Sequence, residues 1–366
     1  MKIKKRFTVT GAVCAALLAA VVFSLSSCAE SDPFMKYGGC AISENEFKYY
    51  LATYKGKFKT SLSGFETGDN YYSVKVEDGR TVEEYLFDTI TDNVKMTLVC
   101  EEVFDEYGLK LTSAAKKEVS DYVSDFIDEY SGGSKSKFNA ELAEYGINAD
   151  ILEDIYLRDT KKTLLYDYLY GDNGKITVTD EERTKYLNEN YVRVQHLFVK
   201  GYEFEVDEDG YAVYNEDGNI NRVPLSGDAL AAKNEIISSI DTELAAGADF
   251  DELYDAFSED KYYENGYYLT RNIDFIREVV DAAFSLECGE WTKVESEYGT
   301  SYIKRLEMDE KPWINGSNGD FFEDFENKVR EDLFKKMISE KTSEVEVDEE
   351  AISKYTVEES SVNNRF

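Results

Sequence analysis

The chain has 366 residues, 42% apolar and 14% aromatic, enough core-forming side chains for two or three domains and too many for a disordered polymer. Its 75 Asp and Glu outnumber 41 Lys and Arg, giving a formal net charge of −34. Such a field repels nucleic acid and anionic lipid surfaces, excludes a nucleic-acid binder, and favours cationic partners.

In chain order, residues 1–27 read as a targeting segment. MKIKKR is a cationic start, and TVTGAVCAALLAAVVFSL is an apolar run too short and too early for an ordinary transmembrane span. Leu25-Ser26-Ser27-Cys28 follows and resembles a bacterial lipobox. That resemblance implies cleavage before Cys28, lipid on its thiol, and anchorage to the outer face of a bacterial cell membrane. Two or three acyl chains hold where one would be marginal. The alternative is a plain signal peptide with an incidental cysteine. Residues 28–42 are then a linker. Cys14 leaves with the signal, so Cys40, Cys100 and Cys288 remain, an odd number at wide spacing and no disulfide framework. Cys100 falls within an amphipathic helix as a core residue. One histidine and no CxxC argue against zinc, and nothing calls for a cofactor.

From Ser43 the pattern is helical. Ser43-x-x-Glu46 has capping-box spacing, and Phe47, Tyr50, Leu51 and Tyr54 follow on one face. Thr81-x-x-Glu84 opens a second helix carrying Leu86, Ile90 and Val94, ended by Gly108. Val119, Tyr122, Val123, Phe126, Ile127 and Tyr130 mark a third. One or two shorter helices follow around Gly146, and Thr179-x-x-Glu182 starts another that leads into a strand. Residues 43–188 are taken as a helical domain.

Residues 189–308 change character. VRVQHLFVK (192–200) alternates, is β-branched, and holds His196, the single histidine of the chain. A hairpin insertion spans 201–227, with turn signals at DEDG (207–210) and NEDG (215–218) around a YAVY strand. Helices follow over 228–246 and through FDELYDAF, and TSYIKRLEM is a last strand. The fold class is α+β. After Pro312, Phe322, Phe325, Val329, Leu333 and Met337 form a stripe at helical spacing. Such a helix cannot bury its stripe alone, so residues 309–345 are expected to pack on the helical domain, making 189–308 an insertion. Residues 346–366 read as a frayed polar tail.

Three constellations bear on chemistry. Glu205-x-Asp207-x-Asp209-Gly210…Glu216 places oxygens at calcium-loop positions, but position 1 is Glu and the flanks are strands, so an acidic hairpin is the better account. Ser/His/Asp catalysis would need a serine against His196 without a G-x-S-x-G context. The third is a series of short motifs. VRVQHLFVK resembles the first strand of a parvulin-type peptidyl-prolyl isomerase. Gly247-Ala248-Asp249-Phe250-Asp251-Glu252-Leu253 is similar to that family's G-x-D-F-x-x-L, and Phe257-Ser258-Glu259-Asp260 to its Y-S-x-D. Asn265-Gly266 matches the start of N-G-G-D-L-G, and Val279–Phe284 with Leu286-x-x-Gly289-Glu290 resembles F-x-x-A-x-F-x-L-x-x-G-E. Tyr298–Lys304 aligns with F-G-Y-H-I-I-K. The motifs keep their order, and the helical flanks and lipobox resemble PrsA/SurA-type extracytoplasmic foldases.

The resemblance implies a parvulin-like domain, a small antiparallel sheet with helices, inserted into an all-helical SurA-N-like chaperone domain formed by both terminal segments. It implies an isomerase acting on unfolded or proline-containing secreted polypeptides, without a cofactor or metal. Phe275, Val279 and Phe284 would line the proline pocket with Ser258 beside them. Asp260 takes the acidic or thiol position near the substrate carbonyl, and His196 belongs to the polar network behind it. Two departures stand out. The family's second histidine is Ser301 here, expected to hydrogen-bond His196, and the second glycine of its turn is Tyr267. The alternatives are a holdase of the same fold with a decayed site, and a solute-binding or structural lipoprotein.

Overall fold

The computed structural model describes residues 33–366 apart from 63, 67, 69, 77, 216–217, 262–264 and 316–318. The targeting segment and Cys28 lie outside the described residues. The elements run β1 (Met35–Tyr37), β2 (Cys40–Ile42), α1 (Glu44–Ser61), α2 (Val82–Glu106), α3 (Ser113–Ser131), α4 (Lys135–Leu142) and α5 (Ala149–Tyr170). Then come α6 (Asp180–Asn190), β3 (Tyr191–Lys200), β4 (Tyr202–Phe204), β5 (Arg222–Pro224), α7 (Gly227–Ala245) and α8 (Phe250–Phe257). The remainder is β6 (Tyr267–Thr270), α9 (Arg277–Ser285), β7 (Trp291–Ser296), β8 (Gly299–Leu306), α10 (Pro312–Asn315), α11 (Phe325–Ser339), β9 (Glu346–Val347) and α12 (Glu349–Ile352). No helix among the described residues is long and apolar enough to cross a membrane.

The chain divides into two compact units. The first takes the described residues up to Leu98, Val119–Ile155 and Val345–Phe366. Its small antiparallel sheet has the order β2-β1-β9, so Met35 pairs with Ile42 on one side and Val347 on the other. The expected linker is thus partly sheet, turning on Gly38 at φ 56°. The Ser43 capping box forms: Glu46 N–H donates to Ser43 Oγ, and Ser43 N–H to the Glu46 carboxylate. Phe47, Ile90, Val94, Leu98, Phe138 and Leu142 fill the core.

The tail is not frayed. Val357 and Asn363 are buried. Asn363 N–H donates to Ala52 O at 2.9 Å, and its side-chain amide to Thr53 Oγ1. The buried Lys55 ammonium donates to the carbonyls of Glu358 and Ser360. A Cβ on Gly56 would lie 2.1 Å from Asn363 O, so only glycine lets the tail cross α1 there. The tail reads as polar because its role is to supply backbone partners, which hydrophobic pattern does not reveal.

The second unit takes Val99–Glu118 and Tyr156–Glu344. A four-stranded antiparallel sheet of order β6-β3-β8-β7 is its centre. The sequence pattern singles out two of these strands and misses β6 and β7, which are short and partly exposed. Inner strand β3 is buried on both faces. Leu197 and Val199 pack with Ile240, Leu244, Phe250, Leu253 and Tyr302 beneath α7 and α8. Val192 and Val194 pack with Leu269, Val279, Ala283 and Ile303 beneath α9. Arg183 on α6 grips Glu326 on α11 through two hydrogen bonds, 2.7 and 2.9 Å. The α11 stripe also packs on α5, with Phe334 edge-on to Tyr166.

Candidate functional site

His196 sits on β3 opposite Ile303 of β8, on the sheet face that carries α9. Alternation puts Val194, His196 and Phe198 on this face, and register adds Tyr267 (opposite Val194) and Ser301 (opposite Phe198). The imidazole is 5% exposed and bonded at both nitrogens. Its Nε2 lies 2.8 Å from Ser301 Oγ, and its Nδ1 lies 3.0 Å from the Tyr267 hydroxyl. Burial pushes its pKa down to about 4, against the opposing charge of the Asp260 carboxylate. The ring is therefore neutral at neutral pH and can donate at one nitrogen and accept at the other.

The departure at Tyr267 does not fall on the turn's left-handed position. The positive φ needed by the turn falls on Gly266, at 75°, and Tyr267 already belongs to β6. A Cβ on Gly266 would meet Val194 O at 2.6 Å. Arg193 fixes the turn by donating to Asn265 O at 2.7 Å. Tyr267 costs no backbone strain and gives His196 its second hydrogen bond. The run Tyr267-Tyr268-Leu269-Thr270 does not alternate, and it is the pairing with β3 that places Tyr267 on a strand.

Ser301 is fully buried and bonded to His196, which rules against nucleophilic attack: no substrate reaches its Oγ, and the far side of the ring meets a phenol rather than a carboxylate. Ser258 is buried and its hydroxyl is committed. It accepts from Phe198 N–H at 3.2 Å and donates to Asp260 O at 2.7 Å. Ser258 therefore anchors the end of α8 to β3 and sets the backbone of half-buried Asp260; it does not face solvent.

The apolar candidates separate. Phe275 is 37% exposed, with its ring edge-on to His196 at 6.0 Å and to Tyr267 at 5.9 Å. Val279 is fully buried in the core under α9, so it supports the site and does not line it. Phe284 is half-buried on the same core, with the Arg271 guanidinium 4.2 Å from its ring centroid. The structure brings His196, Ser301, Tyr267 and Phe275 together, with the Asp260 charge acting on the ring. No group of His, Cys, Asp and Glu fit to hold a metal occurs among the described residues. In the acidic hairpin Asp207 Oδ1 accepts from Asp209 N–H and Tyr211 N–H and so caps its own turn; Glu216 lies outside the described residues.

A separate cleft of about 270 Å³ lies in the first unit between α1 and the tail, with Lys48, Glu144, Lys354 and Glu359 at its wall. Its charges of both signs, with Ser360 and Ser361 among them, do not converge on one ligand chemistry.

No protein-family model matches the chain, and no curated protein matches it. Among solved structures it is similar to PrsA from Bacillus subtilis, at 19% identity and a TM-score of 0.24 over 76% of this chain and 93% of that one. It is also similar to the peptidylprolyl isomerase PrsA from Bacillus cereus, at 18% identity and a TM-score of 0.26 over 78% and 96%. The foldase protein PrsA from Streptococcus pneumoniae gives 16% and 0.22 over 76% and 96%. The likeness is distant.

Proposed function

We propose that the sheet face around His196 is a peptidyl-prolyl cis-trans isomerase site in a foldase that acts outside the cytoplasm on unfolded polypeptides. The observation that carries this reading is the exposed Phe275 ring standing against a buried, neutral, fully hydrogen-bonded imidazole, with Asp260 beside it. A prolyl amide rotates over a barrier of ~18–20 kcal/mol because its C–N bond has double-bond character. No bond need be made or broken. Phe275 offers an apolar wall to the proline ring. The dry surroundings favour the twisted amide, whose carbonyl oxygen carries less charge than the planar one. Asp260 faces that oxygen and disfavours its negative charge, while the neutral His196 network holds the floor of the site rigid and exchanges no proton.

The test is isomerisation of a proline-containing tetrapeptide by the full chain. Acceleration is expected. Asp260→Ala is expected to abolish it, and Phe275→Ala to reduce it by about tenfold or more. No acceleration at high protein concentration overturns the reading. Val279 being fully buried favours a second reading, in which the apolar slot is too small for turnover and the protein is a holdase. Suppressed aggregation of a refolding client without isomerisation would establish that alternative. Anchorage through lipid on Cys28 belongs to the same proposal, and Cys28→Ser is expected to release the protein from the membrane fraction.

A further inference from the structure

The insertion between β3 and α7 is an arm with an unusual branch. β4 pairs with β5, placing Tyr202 opposite Pro224 and Phe204 opposite Arg222. Beyond Phe204 the ladder divides. Glu205 N–H donates to Asn221 O, Asn221 N–H to Val213 O, and Val213 N–H to Glu205 O, at 2.9, 2.8 and 3.0 Å. This ring of three bonds carries two tips, bridged at Val206–Ala212 and Tyr214–Ile220, each turning on a left-handed glycine, Gly210 or Gly218.

Register then fixes the faces. Paired residues share a face, as do alternate residues along a strand. Phe204, Val206, Ala212, Tyr214 and Ile220 therefore fall on one side with Arg222, and going round the junction in either direction gives the same answer. Phe204 is 48% exposed, Val206 57% and Tyr214 61%. The opposite side carries Glu203 and Glu205. A sheet this small has no core of its own, and such a contiguous apolar face on a soluble chain marks a contact surface.

Charge selects the occupant. Residues 201–224 hold seven carboxylates and one cation, Arg222, whose guanidinium lies over the Tyr202 and Tyr298 rings at 5.2 and 4.9 Å. A second copy of the arm would bring like charge against like, and an anionic lipid surface would do the same. An extended chain added at the edge of this sheet, with apolar side chains on one face and lysine or arginine on the other, continues the apolar face and sets its cations beside the carboxylates of the opposite face. Among the described residues each strand of the two-stranded sheet also keeps an edge to which an extended backbone can add. We propose that this arm docks extended, cationic, apolar segments of unfolded polypeptide; the proposal rests on the foldase reading and names its client chemistry.

The test uses the full chain and a fluorescein-labelled, proline-free peptide of twelve residues alternating lysine with valine and phenylalanine, read by anisotropy. Saturable binding is expected, weakening with salt between about 0.05 and about 0.5 M. Phe204→Ser with Tyr214→Ser is expected to weaken it about tenfold, and Glu203→Gln with Glu208→Gln to weaken it and flatten its salt dependence. Thermal melts check that both variants fold. Equal binding of a matched peptide with glutamate for lysine overturns the proposal, as does indifference to both variants. A dimer in the ultracentrifuge that Phe204→Ser dissociates would assign the face to a second copy, and binding to phosphatidylcholine vesicles alone would assign it to lipid; either overturns it. Both variants are expected to leave tetrapeptide isomerisation unchanged. Docking without isomerisation removes only the isomerase reading, and isomerisation without docking removes only the arm.

Discussion

His196 has one consequence measurable without any substrate. Its folded pKa lies near 4, against 6.5 for a free imidazole. Above 6.5 the ring is neutral in both states. Between 6.5 and about 4 the unfolded chain takes up a proton that the folded chain refuses, so stability falls as the pH is lowered through that window. The full loss is on the order of 3 kcal/mol. Because the chain has one histidine, His196→Gln removes this contribution entirely. Denaturant titrations at pH 7 and pH 5 are expected to show the wild type losing more than the variant, and parallel losses would contradict the burial. Tyr267→Phe is expected to cost about 1 kcal/mol by leaving Nδ1 without its hydroxyl, and to change the imidazole nitrogen shifts in NMR. At this scale the sequence is partly legible. The pairing of His196 with Ser301 follows from two aligned strands. The Tyr267 contact depends on which residue of the turn takes positive φ, and Val279 shows that an apolar stripe looks the same whether it lines a site or fills a core.

Elements defined by local chemistry are the readable ones. The capping boxes at Ser43, Thr81 and Thr179 form as spaced, because four consecutive residues settle them. Thr179→Ala is expected to lower stability by about 1 kcal/mol in a denaturant titration. Strands β6 and β7 escape the pattern because their neighbours in the sheet, rather than their own composition, make them strands. The turn into β6 concentrates this dependence in one glycine. Gly266→Ala combines positive φ with a Cβ contact at 2.6 Å to Val194 O, and a loss of about 2 kcal/mol or more is expected in the same measurement. A smaller loss would mean that the turn relaxes.

At the scale of the whole chain, the first unit is assembled from three separated stretches, and nothing in composition announces that residues 345–366 belong with residues 33–98. Removing residues 345–366 is expected to abolish the first unit's cooperative unfolding in calorimetry, because Lys55, Ala52 and Thr53 lose their partners and β1 loses β9. That join also bears on the order in which the protein can be made. Lys55 and the carbonyl it bonds are 303 residues apart, so a ribosome delivers the first long before the second. Residues 156–344 carry most of the second unit and are complete earlier. Through that interval β1 keeps an open edge. The final segment thus works as a clasp fitted last. A chain whose synthesis stops before residue 345 carries its own mark of incompleteness, one strand edge left open to whatever quality control meets it.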